Sequence, residues 1–393
     1  MQMCSDRGLE AYAPPELPAH KTCMNDLPQE LVDLILDALK DESKALKSCS
    51  LTCWTWHPRS SKHLFASYNL TSPSADSSAR ITAMQAYERI RTNIVVLTLR
   101  TQYVSTLPII HALPHLRDLN VIASGMHTRM LDAFLSVPPP RSPPTRTISR
   151  IRIRDGSVGL VELVLRSFAL VETLIIEDLR VSPVNVHHLA RHAIRSLHLR
   201  RVSLDALKRV SLVIEPTVLE YLLIDSPSHR EPINDTHLDK FLHAIGSYVR
   251  SYHYVDSADC HGYPYKAVPP TLSLYPNVRS VTVTIGEFET ALPSQRGQHL
   301  LTFLSSLPPE IAEITLIYNT PSRGPDLIDT LKYVDWSAIS HPLRGYAKLT
   351  SLRIGVASVA GELPTGRLLC LPLAQAVVAE MLCVQLRRIT TFI

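Results

Sequence analysis

A short apolar pattern that returns along most of the chain constrains the fold more than any other sequence feature. Each copy has an apolar residue, two others, an apolar residue, one other and an apolar residue. Measured between the middle apolar residues, successive copies are 22 to 38 residues apart. The ten copies are 94–99, 116–121, 148–153, 171–176, 194–199, 219–224, 249–254, 278–283, 311–316 and 349–354, with a weaker match at 386–391.

The last two apolar residues of each copy are two positions apart, so in a strand they point to the same side and the residue between them points to the other. One short strand cannot bury its apolar side alone, but stacked copies can bury it together. A strand every 20 to 40 residues with a helical return between strands is typical of leucine-rich repeats. We therefore predict an α/β fold in which residues 93–393 form an irregular leucine-rich-repeat solenoid. Its parallel strands would line the concave face, with helices and loops outside.

Return helices are predicted over 160–165, 238–245 and 300–304, where apolar residues cluster between two copies of the pattern. The usual repeat carries Asn or Cys three residues after its last strand apolar position. The chain has Gln102, Ser124, Leu179 and Val202 there. The regular Asn ladder is therefore absent, and we expect an irregular array with insertions at 123–147, 255–277 and 318–348.

A different pattern precedes the repeats, over residues 26–70. Pro28 suits a first helical turn because its missing N–H leaves no donor unsatisfied there. Leu31, Ile35 and Leu39 recur every four residues, which predicts a helix with one apolar face. A second helix is predicted over 43–52, and a third follows two tryptophans. Residues 1–25 are predicted to be a disordered lead, and 71–92 a linker and helix.

This stretch resembles an F-box. The matching residues are Leu27, Pro28, Glu30, Leu31, Ile35, Leu36, Leu39, Leu46, Cys49, Leu51 and either Trp54 or Trp56. The resemblance implies docking on a Skp-type adaptor and, through it, on a cullin. It also implies an adaptor-facing apolar surface made of Leu27, Pro28, Leu31, Ile35, Leu36 and Leu51. The alternative is that the three helices only cap the repeat array.

The strand residues that point away from the core are the second candidate site, because parallel strands would place them side by side. Several are arginines, and a guanidinium can grip a carboxylate or phosphate with two hydrogen bonds. This face could bind an acidic or phosphorylated segment of a target protein, or it could simply be a solvated strand face. The candidate target-binding residues are Arg100, Arg150, Arg152, Arg154, His198, Arg200, Tyr221 and His253.

Composition excludes several classes of protein. The net charge is only +4, and the arginines at 141–154 lack interleaved aromatic residues, so nucleic-acid binding is not expected. Seven scattered cysteines form no disulfide framework. Cys49, Cys53, His57 and His63 have a spacing compatible with zinc, but the cysteines share a helical stripe with Leu46, which favours core packing. No secretory signal or membrane span is predicted, so we expect a cytoplasmic or nuclear protein.

The sequence contains no glycine-rich phosphate loop, nucleophile elbow or His-Glu-x-x-His motif, so neither an enzyme nor a cofactor is expected. The least expected reading is an enzyme with its site in the 255–277 loop. The favoured function is a non-catalytic substrate receptor of a Skp–cullin–F-box ubiquitin ligase, in which the repeats bind a target protein. The alternative is a leucine-rich-repeat scaffold that never joins a ligase.

Overall fold

The structure is a computed structural model that describes residues 27–71, 75–100, 110–123, 144–179, 190–225, 235–256, 272–285, 301–320, 336–358 and 369–372. The chain divides into two compact units, Met1–Ala66 and Ser67–Ile393. We call the first the helical unit and the second the sheet unit. The prediction had ended the helical stretch at residue 70, but residues 67–70 are the first strand of the sheet unit.

The described part of the helical unit contains α1 (Gln29–Ala38), α2 (Ser43–Thr52) and α3 (His57–Ala66). Pro28 is the N-cap of α1, and its carbonyl accepts hydrogen bonds from the backbone N–H groups of Leu31 and Val32. The core of this unit is small. It consists of Val32, Leu36, Leu46 and Trp56, with Leu39, Cys49, Cys53 and Leu64 packed against them.

The sheet unit is built from strands in chain order, with helices between some of them. Its strands are β1 (Ser67–Leu70), β2 (Val96–Arg100), β3 (Asp118–Ile122), β4 (Thr147–Arg154), β5 (Leu170–Glu177), β6 (His192–Arg200), β7 (Ile214–Glu215), β8 (Tyr221–Asp225), β9 (Ser251–Asp256), β10 (Ser280–Ile285), β11 (Glu313–Thr320), β12 (Ser351–Ser358) and β13 (Leu369–Pro372). Its helices are α4 (Ala75–Ala86), α5 (Glu88–Asn93), α6 (Val158–Leu165), α7 (Leu204–Val213), α8 (Asp235–Ile245) and α9 (Trp336–Leu343), and residues 301–305 are also helical.

All thirteen strands belong to one sheet, and their order in space follows their order in the chain. The pairings from β1 to β12 are parallel, with the short β7 beside the start of β6. The last strand, β13, pairs antiparallel with β12. The prediction of an α/β fold with a parallel sheet is confirmed, and each of the ten copies of the sequence pattern overlaps one of these strands. The match at 386–391 lies outside the described residues.

The pattern works because its two closely spaced apolar residues fall in register from strand to strand. Leu119 pairs with Ile151, and the row continues through Leu174 and Leu197 to Leu222. All five side chains are fully buried. Return segments cover this apolar face: the ring of Tyr254 on β9 stacks on Phe303, with centroids 6.1 Å apart. The residues between the buried ones form the opposite face of the sheet, which we call the outer face.

A left-handed turn replaces the missing Asn ladder after three successive strands. Asp155, Asp178 and Arg201 follow β4, β5 and β6 directly, and their φ angles are 57°, 54° and 51°. The N–H of Asp155 donates to the carbonyl of Glu177, and the N–H of Asp178 donates to the carbonyl of Arg200. Backbone-to-backbone bonds therefore join the strand ends without an Asn side chain.

Strands β1, β7 and β13 and helices α7 and α9 of the sheet unit were not in the prediction. Strands β1 and β13 extend the sheet at its two ends, although neither carries the repeated pattern. The single helix expected to end near residue 92 is two helices, because the chain leaves helical geometry at Tyr87. The predicted helix and strand periods were local signals, whereas β1 and β13 depend on pairing with a neighbouring strand.

Candidate functional site

One side of α1 is apolar and exposed. Leu34 and Ile35 follow Leu31 by three and four residues, so the three side chains form one stripe on the helix. Leu27 lies just before the helix. The exposed fractions of Leu31, Leu34, Ile35 and Leu27 are 48%, 64%, 45% and 39%. We call these four residues the α1 apolar face. Contiguous exposed apolar side chains on a small unit are typical of protein-binding surfaces.

Leu36 does not belong to this surface, contrary to the prediction. It is fully buried, because it lies four residues after Val32 on the side of α1 that packs onto α2 and α3. The sequence pattern had suggested a single broad apolar face. In the structure the helix has two: the Val32 and Leu36 side forms the core, and the Leu31 and Ile35 side is exposed.

Leu51 and Trp54 lie at the end of α2 and just after it, and they are 87% and 86% exposed. Trp56 is buried in the core of the helical unit, so the two tryptophans have different roles. The Trp54 ring meets the His57 ring edge to face, with centroids 6.0 Å apart. The predicted adaptor-facing set included Leu51 but not Leu34 or Trp54, which are also exposed. Helical spacing from Leu31 would have identified Leu34, whereas periodicity does not reach Trp54 because it follows the helix.

A polar cluster ties α1 to α3. The Asp37 carboxylate accepts hydrogen bonds from Nε of Arg59 and from Nε2 of His63, both at 2.7 Å. These bonds, that of Arg59 above all, hold the pKa of Asp37 well below its ordinary value. Asp37 therefore stays charged and links α1 to α3.

The two cysteines of the possible zinc site, Cys49 and Cys53, have other contacts in this unit. Cys49 and Cys53 pack against the helical core. The Sγ of Cys53 lies 2.9 Å from the hydroxyl of Thr55, and this contact lowers the pKa of the thiol. Among the described residues, no group of three or more Cys, His, Asp or Glu side chains is placed to hold a metal ion.

The outer face of the sheet unit carries the second candidate site, centred on Glu177. Its carboxylate is 3% exposed and accepts from three guanidiniums. Arg152 donates through Nε and Nη2 at 2.9 to 3.1 Å, Arg154 through Nε at 3.1 Å and Arg200 through Nη1 at 3.4 Å. Burial alone would raise the pKa of Glu177, but the bonds and charges of Arg152 and Arg154 lower it. We call these four residues the Glu177 cluster.

A row of neutral polar side chains continues from this cluster across the outer face. The Tyr221 hydroxyl lies 3.2 Å from Nδ1 of His253, whose Nε2 lies 2.8 Å from the hydroxyl of Thr284. The ring of His198 is 5.3 Å from that of Tyr221. Burial lowers the pKa of His198 and of His253 to about 4 and raises the pKa of Tyr221 to about 12. All three are therefore uncharged at neutral pH.

The structure brings together only part of the predicted target-binding set. Arg152, Arg154 and Arg200 converge on Glu177, and Arg150 is exposed on the same strand as the first two. His253 is buried, contrary to the prediction of an exposed binding residue, because Tyr221 and Thr284 from the neighbouring strands close over it. Arg100 is half-buried on β2, two strands away from β4.

No protein-family model matches the chain, and no curated protein matches it either. Within the described ranges, no helix has the combination of length and apolar character needed to cross a membrane.

Proposed function

We propose that the chain is the substrate-receptor subunit of a Skp–cullin–F-box ubiquitin ligase and has no catalytic residues of its own. The helical unit would dock on a Skp-type adaptor, and through it on a cullin. The sheet unit would hold the target protein. In the finer description of the fold, the helical unit is an F-box and the sheet unit an irregular leucine-rich-repeat solenoid.

The observation that carries the adaptor half is the α1 apolar face. Three of its four residues, Leu27, Leu31 and Ile35, are residues on which the sequence resembles an F-box. The face leaves large side chains in solvent although the unit has only a small core of its own. Burying Leu31, Leu34 and Ile35 in a partner would remove that apolar surface from water, at about 25 cal/mol for each Å². Trp54, which is also exposed on the helical unit, is of a residue type that often anchors an interface.

The repeat-like sheet supports the target half. Parallel strands in chain order align their outer side chains in rows, which gives a long surface for recognising another protein. That surface carries arginines on β4 and β6 and neutral polar groups from β6 to β10. Neither feature suggests chemistry on a bound substrate, in keeping with a receptor that presents its target to the rest of a ligase.

The test is capture of a purified Skp-type adaptor by the full chain and by the variant Leu31→Asp. We expect the wild-type chain to retain the adaptor and the variant to lose at least about tenfold in affinity, because a charge in an apolar interface is left without a partner. Leu212→Asp is the matched control. Leu212 is 47% exposed, against 48% for Leu31, but it lies on α7 of the sheet unit.

Failure of the wild-type chain to bind the adaptor would refute the ligase assignment and leave the repeat-scaffold alternative. Because Leu31 is exposed, Leu31→Asp should keep its circular dichroism spectrum and thermal midpoint. A variant that instead unfolds would indicate that the α1 apolar face is covered within the chain, as expected for helices that only cap the array.

A further inference from the structure

We propose that the Glu177 cluster binds a segment of a partner protein that is rich in aspartate and glutamate. This inference deepens the target-binding half of the proposed function, but it does not require the adaptor. It concerns one patch of the outer face, built by three neighbouring strands, rather than the whole row of arginines that the sequence offered.

The strand register builds the patch. Arg154 on β4 pairs with Glu177 on β5, which pairs with Arg200 on β6. Neighbouring strands are about 4.8 Å apart, so the two arginines stand about 10 Å from each other with the carboxylate between them. Arg152 precedes Arg154 by two residues and therefore points to the same face. Glu177 is thus a positioning residue that holds three guanidiniums at fixed places.

The guanidiniums keep donors for a ligand after Glu177 is satisfied. A guanidinium has five N–H groups. In the described contacts, Arg154 and Arg200 each donate through one nitrogen to Glu177. The side chains of Arg152, Arg154 and Arg200 are 39%, 44% and 42% exposed, whereas Glu177 is 3% exposed. A partner therefore meets the edges of the arginines, not the carboxylate beneath them.

The local charge is positive. Three arginines share one carboxylate, which leaves two positive charges in the cluster. Arg150 adds another exposed guanidinium on β4. The neighbouring His198 responds to this field: burial is the main cause of its low pKa, and the charges of Arg200 and Arg150 lower it further. An anion bound nearby should raise that pKa again.

Several separate carboxylates fit this arrangement better than one phosphate. The point on which the three guanidiniums converge already holds the Glu177 carboxylate, so a single dianion cannot take the central place. The donors that Glu177 does not take up belong to partly exposed arginines on both sides of that point, on β4 and on β6. An extended acidic segment can present side chains to both sides.

The experiment measures binding of fluorescent peptides to the full chain, by polarisation, at low salt. The probes are a ten-residue peptide with five aspartates, the same peptide with asparagines, and the asparagine peptide with one phosphoserine. We expect the aspartate peptide to bind at least about tenfold more tightly than the asparagine peptide, and to weaken as salt screens the charges. Tighter binding of the phosphoserine peptide than of the aspartate peptide would overturn the proposal in favour of a phosphate site.

The variant arm compares Arg154→Gln with Arg200→Gln and with a control on the same face, Arg353→Gln. Arg353 is 42% exposed, like Arg200, but it lies on β12 with one carboxylate, that of Glu313, at 3.9 Å. We expect the first two variants to lose about tenfold in affinity and the control to lose less than about twofold. Equal losses in all three would overturn the proposal, because they would reflect net charge alone.

A second readout uses the wild-type chain, so it does not depend on variants that fold. The pKa of His198 is followed by NMR with and without the aspartate peptide. Binding at the Glu177 cluster should raise this pKa, since the added carboxylates offset the field of Arg200 and Arg150. An unchanged His198 pKa at saturating peptide would place binding elsewhere and overturn the proposal.

Discussion

The two units of the chain differ in how many of their large apolar side chains are exposed. Nine large apolar side chains are exposed among the described residues, and six of them lie in residues 27–66. The sheet unit is several times longer, and in the part of it that the structure describes only Tyr87, Leu212 and Tyr248 are large apolar residues in solvent. It places polar and charged groups outside instead. A stacked sheet can hide its apolar residues behind the next repeat, whereas three short helices cannot.

The contrast bears on how each unit would bind a partner. Burial of the α1 apolar face would supply affinity from the hydrophobic effect and would depend little on salt. Binding at the Glu177 cluster would rest on charge, so it would favour rapid association and weaken with ionic strength. One chain could therefore hold an adaptor stably and a target transiently.

The largest expected effect is the difference between a substitution on the buried side of α1 and one on its exposed side. Leu36→Ala should lower the free energy of unfolding of the helical unit by about 2–5 kcal/mol, because it opens a cavity among Val32, Leu46 and Trp56. Leu34→Ala, on the exposed side of the same helix, should change it by less than about 0.5 kcal/mol. Hydrogen exchange of the α1 amides measures both. Equal losses of protection would mean that the two sides are not buried as differently as the structure has them.

The sequence predicted that α1 has an apolar side, but it could not distinguish the apolar residues that are buried from those that are exposed. Leu31, Leu34, Ile35 and Leu36 are all aliphatic, so a period near 3.6 fits a broad stripe as well as two narrow ones. Only the packing of α2 and α3 decides that Leu36 is the buried member. The same limit applies to Trp54 and Trp56, which are chemically identical and two residues apart.

In the sheet unit the local pattern was enough to predict ten of the described strands but not the site. Register follows from the apolar pattern because a slip by one residue would turn every buried side chain outward. The pattern does not predict that Glu177 on β5 binds three arginines, since in the sequence Glu177 is only one of several outward-facing strand residues. His253 shows the same limit, because its burial depends on Tyr221 and Thr284 of neighbouring strands.

A smaller effect is expected when the charge at the centre of the Glu177 cluster is removed. Glu177→Gln leaves three guanidiniums near a buried amide that carries no charge, which should cost about 2–3 kcal/mol of unfolding free energy in the sheet unit. The loss is less than for a fully buried ion pair, because the arginines are about two-fifths exposed. Urea denaturation measures it, with Glu313→Gln, whose contact with Arg353 is 3.9 Å long, as the control. A loss no greater than that of the control would show that Glu177 does not position the arginines.

The smallest expected effect is the share of the pH dependence of the sheet unit that one histidine, His253, contributes. The pKa of His253 in the folded chain is about 4, against an ordinary value of 6.5. Between these two values the unfolded chain binds a proton that the folded chain does not, so stability falls as the pH falls through this window and is fully present above it. From pH 6.5 to pH 5 the loss amounts to about 1–2 kcal/mol for one histidine. His192 and His198, with pKa values also near 4, add to the loss.

The variant His253→Gln measures how much one histidine contributes to this dependence of the unfolding free energy on pH. Glutamine can still hydrogen-bond to Tyr221 and Thr284 but takes up no proton, so its unfolding free energy should fall by about 1–2 kcal/mol less than that of the wild type between pH 7 and pH 5. Stopping at pH 5 keeps the ordinary carboxylate range out of the measurement. A variant curve parallel to that of the wild type would mean that the imidazole is not held neutral on the outer face. His253 would then be able to take up a proton in the folded sheet unit, so its ring would be accessible to solvent, as the α1 apolar face is.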